Sequence, residues 1–307
     1  MFCALGGIQI PWPAKEYTLG EWVTGRIFGS TTTKQGQIKP ETVETYLSAL
    51  RSYHVDQRMP TEVFESPWLK RIIKGGHRLF PSAKRNRLPI TKDVLRRITT
   101  TTSLSVDDLN YNTAFKVAWA GFLRVGEFTY TPQALAMPSF SQTGLTRSDI
   151  TFSEDDDYAI LRLKRSKTDV KHTGVEIILA ATNSSTCPVT ALRLLFERDH
   201  QPPRAPLFSL QNGPFTRKSV IDFLKARLVT AGIPIEGYSG HSFRKGAAQH
   251  ASDNGMLDEQ IKTLGRWSSS AFQLYFQTST PTLFALNKRF QTGRPPTIAP
   301  RQIGHLQ

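Results

Sequence analysis

Cysteine is nearly absent from this chain of 307 residues: Cys3 and Cys187 are the only two. Two thiols exclude a disulfide framework and a thiolate metal cluster, and the chain reads as intracellular and reduced. Acid is scarce as well. Asp and Glu number 25 against 39 Lys and Arg, a formal net charge of +14. Long apolar runs are missing, and none approaches the roughly 18–20 residues that span a bilayer. The opening MFCALGGIQIPWPAKEY has no basic segment and is broken by prolines, so it does not read as a secretory signal. Internal repeats and low-complexity tracts are lacking too. What remains is 39% hydrophobic and 10% aromatic, enough for one large or two ordinary globular domains. The excess of cations points to a polyanionic partner, nucleic acid, through counterion release and steering.

Along the chain, residues 1–36 hold one short amphipathic piece, LGEWVTGRIFG. KPETVETYLSALRSYHVDQ predicts a helix: Pro40 and Glu41 suit a first turn, and Val43, Tyr46, Leu47, Leu50 and Tyr53 follow the helical period. ESPWLKRIIKGGHRLF predicts a second, with Trp68, Ile72 and Ile73 inward and Lys70, Arg71 and Lys74 outward. PSAKRNRLP, residues 81–89, is proline-bounded and basic, a linker suited to a phosphate backbone. TKDVLRRIT and the long stretch DLNYNTAFKVAWAGFLRVGEFTY predict helices, the latter placing Arg124 late in its helix. YAILRLK (158–164) and VEIILA (175–180) alternate and flank RSKTDVKHTG, a β-hairpin with a basic tip. From Pro188 onward the periodicity is helical again, and residues 291–307 read as a flexible tail.

Several cations stand where structure alone does not ask for them. Arg124 has Glu127 three residues on, and Lys167 sits at the hairpin tip. GHSFRKGAAQH places His241 and Arg244 at a helix opening, whose dipole is already positive. Further cations there make sense opposite an anion. Tyr275 lies in SSSAFQLYFQT on a stripe with Phe272 and Phe276, a pattern that core packing by itself would also produce.

In order, Arg124, Lys167, His241, Arg244, Trp267 and Tyr275 resemble the catalytic series of the tyrosine recombinases, the phage-integrase-like family. The resemblance is carried by FLRVGEF, RSKTD, GHSFRKGAA, LGRW and LYF, with LTRSDI before the hairpin. It covers residues 86–290, and more weakly 37–80. It implies a mainly α fold with a small antiparallel β-hairpin or sheet (α+β). Residues 1–80 would hold an N-terminal segment and a helical core-binding domain, 81–89 the linker and 90–290 an integrase-like catalytic domain.

The same resemblance implies a site-specific recombinase of double-stranded DNA. Tyr275 would attack the scissile phosphate and conserve its bond energy as a 3′-phosphotyrosine. Arg124 and Arg244 would clamp the charged transition state, because guanidinium forks match phosphate oxygens. Lys167 would protonate the leaving 5′-oxygen. His241 would contact the phosphate or accept the tyrosine proton, Trp267 would pack or hydrogen-bond beside it, and Glu127 would hold Arg124. No metal or other cofactor is called for. In many relatives a His or Trp directly follows the LG pair; here Arg266 stands there and Trp267 comes next, so either fills the sixth position. Arg51, Lys70, Lys74, Lys84, Arg85 and Arg87 are the candidate DNA-backbone contacts.

TPTLFALNKRF after Tyr275 reads as an amphipathic helix, which relatives pass to a neighbouring subunit, implying a homodimer or homotetramer on DNA. The style of GRWSSSAFQLYF resembles eukaryotic mobile-element recombinases, crypton-like or retroelement-borne, and implies a nuclear site of action. Two alternatives stand beside this. A type IB topoisomerase would use the same nucleophile on one strand. A non-catalytic helix-turn-helix protein would place Gly255 in its turn and Lys262 and Arg266 toward DNA.

Overall fold

The computed structural model describes residues 12–29, 36–81, 87–100, 105–166, 173–268 and 273. Lys84, Arg85, Lys167, Tyr275, the TPTLFALNKRF segment and the 291–307 tail lie outside the described residues. The chain divides into two units, Met1–Arg85 and Asn86–Gln307.

The first unit holds α1 (Glu16–Phe28), α2 (Pro40–Asp56) and α3 (Pro67–Leu79). Leu19, Val23 and Ile27 of α1 bury against Val43 of α2 and Leu69 and Ile73 of α3, the i, i+3/i+4 spacing closing one small core. Pro67 stands at the first turn of α3, and the Ser66 hydroxyl caps it, accepting from the amides of Trp68 (3.2 Å) and Leu69 (3.4 Å). Trp68, expected inward, is 44% exposed. Its ring lies across Gly20 of α1, where any Cβ would fall 2.2 Å from the indole. The missing side chain, not the core, is what receives it. Tyr46 and Tyr53 also stay exposed on α2, which buries Pro40 and Val43 instead.

The second unit opens with α4 (Lys92–Thr99) and α5 (Val106–Ala120), then short helices α6 (Pro132–Ala136) and α7 (Phe140–Thr143). A three-stranded antiparallel sheet follows, β1 (Ile150–Phe152), β2 (Tyr158–Leu163) and β3 (Val175–Ala180), in the order β1-β2-β3. The register pairs Leu161 with both Ile150 and Ile177, so Ala159, Leu161, Leu163, Ile177 and Leu179 all fall on the buried face. The chain then runs through α8 (Pro188–Arg198), α9 (Arg217–Thr230), α10 (Ser242–Asp253) and α11 (Asp258–Gly265). Phe115, Phe128, Phe208, Phe215 and Phe243 form the centre of one large core. Among the described residues no helix is long and apolar enough to cross a membrane.

Two features of this unit position the site. α10 lies directly on the segment before α4: the Ile90 amide donates to Ser242 O at 2.9 Å, and Trp119 Nε1 donates to Ile90 O at 2.8 Å. Gly246 permits that contact, since a Cβ there would sit 1.8 Å from the Ile90 carbonyl oxygen. The second feature corrects the sequence expectation. α5 stops at Ala120 instead of running on through Arg124. Gly121 ends it, and Phe122, 6% exposed, turns the chain left-handed (φ +50°). Arg124 therefore stands in extended backbone (φ −79°, ψ 145°), at the head of a 3-10 turn, Val125–Glu127.

Candidate active site

The opening of α10 is packed from its first residue. A Cβ on Gly240 would meet Val125 at 2.6 Å, so the glycine lets the α10 entry lie against the Arg124 turn. Ser239 N donates to Ser242 Oγ at 2.9 Å, and His241 is the N-cap residue, half-buried. One turn in, Arg244 is 1% exposed. Its Nη1 donates to Phe122 O at 2.5 Å and its Nη2 to Gly265 O. Its guanidinium carbon lies 4.1 Å from the Trp267 ring centroid, a cation–π contact. Arg244 thus sits beneath the surface, beside the turn that carries Arg124.

Glu127 is the hinge of that turn. Its Oε1 accepts from Arg124 Nη1 at 2.8 Å, and its Oε2 accepts from the Arg124 amide at 2.8 Å. The Glu127 side chain is 6% exposed and that of Arg124 is 21% exposed. Arg266 arrives from the far end of α11, in left-handed backbone (φ +55°) with its side chain 12% exposed. A non-glycine residue there costs about 1–3 kcal/mol and persists only where the surroundings hold it. Its side chain points inward, not out toward DNA as the helix-turn-helix alternative would place it. Trp267 meets Phe122 edge-on at 6.1 Å, backing Arg244 from the other side. Arg124, Arg244, Arg266, Glu127, His241 and Trp267 are therefore brought to one place: Arg124 and Arg266 share the Glu127 carboxylate, and Arg244 lies beside them on the Phe122 carbonyl.

No protein-family model matches this sequence, and no curated protein matches it. Solved structures do. A XerH site-specific recombinase in a post-cleavage complex with a palindromic difH substrate superposes with a TM-score of 0.58 at 16% identity, over 91% of this chain and 73% of that one. A Tn1549 transposon integrase in complex with a circular intermediate DNA gives 0.55 at 13% identity, over 91% and 86%. A lambda integrase dimer bound to a core site gives 0.50 at 15% identity, over 89% and 69%. The fold is that of the tyrosine recombinases.

Within this recombinase fold the electrostatics are lopsided. Burial pushes the His241 imidazole below its ordinary value, and the guanidiniums of Arg87, Arg217, Arg124 and Arg244 push it further. An unfolded histidine titrates near 6.5. Below that pH the unfolded chain binds a proton that the native His241 refuses, so its contribution to stability is complete above about 6.5 and is lost as pH falls toward the depressed native value. Urea midpoints of the free protein should therefore fall from about pH 7.5 to about 5.5, and His241→Gln should fall less. Part of the loss will remain, because burial and Lys92 also depress His250. Identical pH curves for the two proteins would refute this account of the field.

Arg217 escaped the sequence reading. The signal was there: Thr216-Arg217-Lys218 also sets cations at a capped helix start, the same unusual sign as at His241. Lys245 was missed as well; it is 7% exposed and donates to Arg87 O at 2.6 Å, tying the exposed Arg87 segment to α10. At the hairpin base, Lys164 Nζ donates to Asp149 Oδ2 (2.6 Å), Ser141 O (2.8 Å) and Thr146 Oγ1 (3.2 Å). That fixes the end of β2, three residues before Lys167. In the first unit, Arg51, Lys70 and Lys74 are exposed, but Glu65 lies 2.7 Å from Lys70 Nζ and 3.9 Å from Arg51 Nε. Lys74 has no acid in ion-pair range among the described residues.

Proposed function

We propose that this protein is a site-specific recombinase or integrase that cleaves and rejoins duplex DNA through a 3′-phosphotyrosine on Tyr275. The observation that carries this is the pairing of Arg124 and Arg266 on the single carboxylate of Glu127, with Arg244 and His241 close beside them, in a tyrosine-recombinase fold. Such an excess of fixed positive charge in a half-buried site is unfavourable until an anion enters it, and a phosphodiester is the anion its forks fit.

In this scheme the Tyr275 oxygen attacks phosphorus, the bond to the 5′-oxygen breaks, and Lys167 supplies the proton that the departing alkoxide takes. Arg124, the more exposed arginine, meets the non-bridging oxygens directly. Arg244 acts from beneath, through its charge, held by Trp267 and the Phe122 and Gly265 carbonyls. His241, neutral in the free protein, receives the tyrosine proton, which the arriving phosphate charge makes easier to hold. Reversal by a second strand's 5′-hydroxyl restores the phosphodiester without an external energy source. The first unit grips the duplex through Lys74, with Arg51 and Lys70 exchanging Glu65 for phosphate, and Lys84, Arg85 and Arg87 continue the track. A homodimer or homotetramer joined through the TPTLFALNKRF segment, and a eukaryotic mobile element acting in the nucleus, complete the proposal. Both rest on the resemblance of GRWSSSAFQLYF and its surroundings to such recombinases.

A covalent-adduct trap tests it. Protein is incubated with a random-sequence nicked duplex library, denatured in detergent, and the protein-linked DNA is recovered and sequenced. Wild type should yield an adduct and Tyr275→Phe none. DNA binding without any adduct would leave a non-catalytic binder, and an adduct surviving in Tyr275→Phe would move the nucleophile to another residue. Supercoil relaxation without strand exchange would favour a topoisomerase.

A further inference from the structure

Arg266 is given no contact with the reacting phosphate in the scheme above, yet its side chain is firmly built in. Nη1 donates to Gly121 O at 2.8 Å, and Nη2 reaches Glu127 Oε2 at 3.0 Å and Phe122 O at 3.4 Å. The backbone there is a left-handed helix cap (φ 55°, ψ 47°), a conformation that glycine or asparagine adopts with less strain. Backbone demand therefore does not select arginine at this position. The selection must act on what the guanidinium does at the other end of its side chain, across 139 residues of sequence.

What it does is share a carboxylate. Glu127 bonded to Arg124 alone would neutralise it, and a neutral pair attracts phosphate weakly. A second guanidinium on Oε2 draws off part of that negative charge and fixes the carboxylate plane, so that Oε1 stays on Arg124 Nη1. Both effects favour an Arg124 that is oriented yet still cationic toward an incoming anion. We propose that Arg266 is a positioning residue that acts through Glu127 on Arg124, resting on the strand-transfer chemistry proposed above. The shared carboxylate is the link between the two side chains; the bonds to the Gly121 and Phe122 carbonyls hold the Arg266 guanidinium in place.

A double-mutant cycle separates this from a simple brace between α11 and the 121–127 turn. Arg266→Gln, Arg124→Ala and the double variant are compared in the rate of adduct formation at saturating DNA, in DNA affinity at fixed salt, and in melting temperature. Arg266→Gln should lower the rate about 10²-fold, as loss of a transition-state donor does, with affinity changed by less than about threefold. In the Arg124→Ala background the same substitution should change the rate by less than about threefold. Arg266→Lys, which keeps the charge but reaches fewer acceptors, should recover part of the rate; it also carries the test should Arg266→Gln fail to fold. A full rate loss persisting without Arg124 overturns the proposal, as does a loss that follows melting temperature alone and is not restored by lysine. If wild type forms no adduct, the strand-transfer chemistry fails. That outcome overturns this proposal along with it, whereas an adduct in wild type with no coupling in the cycle overturns this proposal alone.

Discussion

Arg124→Ala should lower the rate of covalent-adduct formation by about 10²–10³, the loss expected when one preorganised donor to a developing oxyanion is removed. The protein should stay folded, because the Arg124 side chain is the partly exposed member of its pair and Glu127 keeps Arg266 as a partner. DNA affinity should change only a few-fold, since the other cations carry most of the phosphate contacts. Arg124→Lys should not restore the rate. An ammonium offers a point charge where the site presents a planar fork, oriented by its Nη1 bond to Glu127 Oε1. Single-turnover adduct formation and fluorescence anisotropy with labelled duplex measure the two quantities separately. A rate unchanged by Arg124→Ala would remove this arginine from the chemistry.

Asp199→Ala should destabilise the second unit by about 3–5 kcal/mol in urea unfolding, the cost of leaving one member of a buried ion pair uncompensated. Asp199 caps the end of α8, and its Oδ2 accepts from Arg147 Nη2 (2.6 Å) and Asn110 Nδ2 (3.0 Å), while Oδ1 accepts from Gln201 Nε2 (2.9 Å). The two charged side chains are 5% and 7% exposed. Burial by itself would raise the Asp199 carboxyl, but Asn110, Gln201 and Arg147 together hold it below its ordinary value. One carboxylate therefore joins α5, α8 and the approach to β1. Replacing both partners, as Arg147→Met with Asp199→Leu, should recover much of the loss, because the penalty comes from the orphaned charge and not from the missing attraction. An Asp199→Ala loss below about 1 kcal/mol would mean that water reaches Arg147 once the carboxylate is gone.

The candidate site was legible to different depths. The helical periods of α2, α3, α4, α8, α9 and α10 and the alternation of β2 and β3 are local patterns, set by which side chains face one core, and they can be read from spacing. The order Arg124, His241, Arg244, Trp267 was equally visible, as was the bond between Arg124 and Glu127, three residues apart. The end of α5 was not. VAWAGFLRVGEF keeps an apolar period through Leu123, and what breaks it is Phe122 turning left-handed to pack on Trp267, 145 residues away in sequence. Trp68 misled for a related reason: its place was decided by a glycine on another helix.

By itself, then, the sequence determined the chemical inventory: a basic chain, its helices and hairpin, and the residue types in the spacing that phosphate chemistry needs. Propensity, periodicity and charge are properties of short stretches and survive without the fold. Only the tertiary structure decided how those cations are shared out. Arg244 is buried under carbonyls, Arg124 is left nearer the surface, and Arg266 is turned inward onto a carboxylate that already has a partner. Those assignments depend on distances between segments brought together by burial of apolar surface, and no local pattern encodes them.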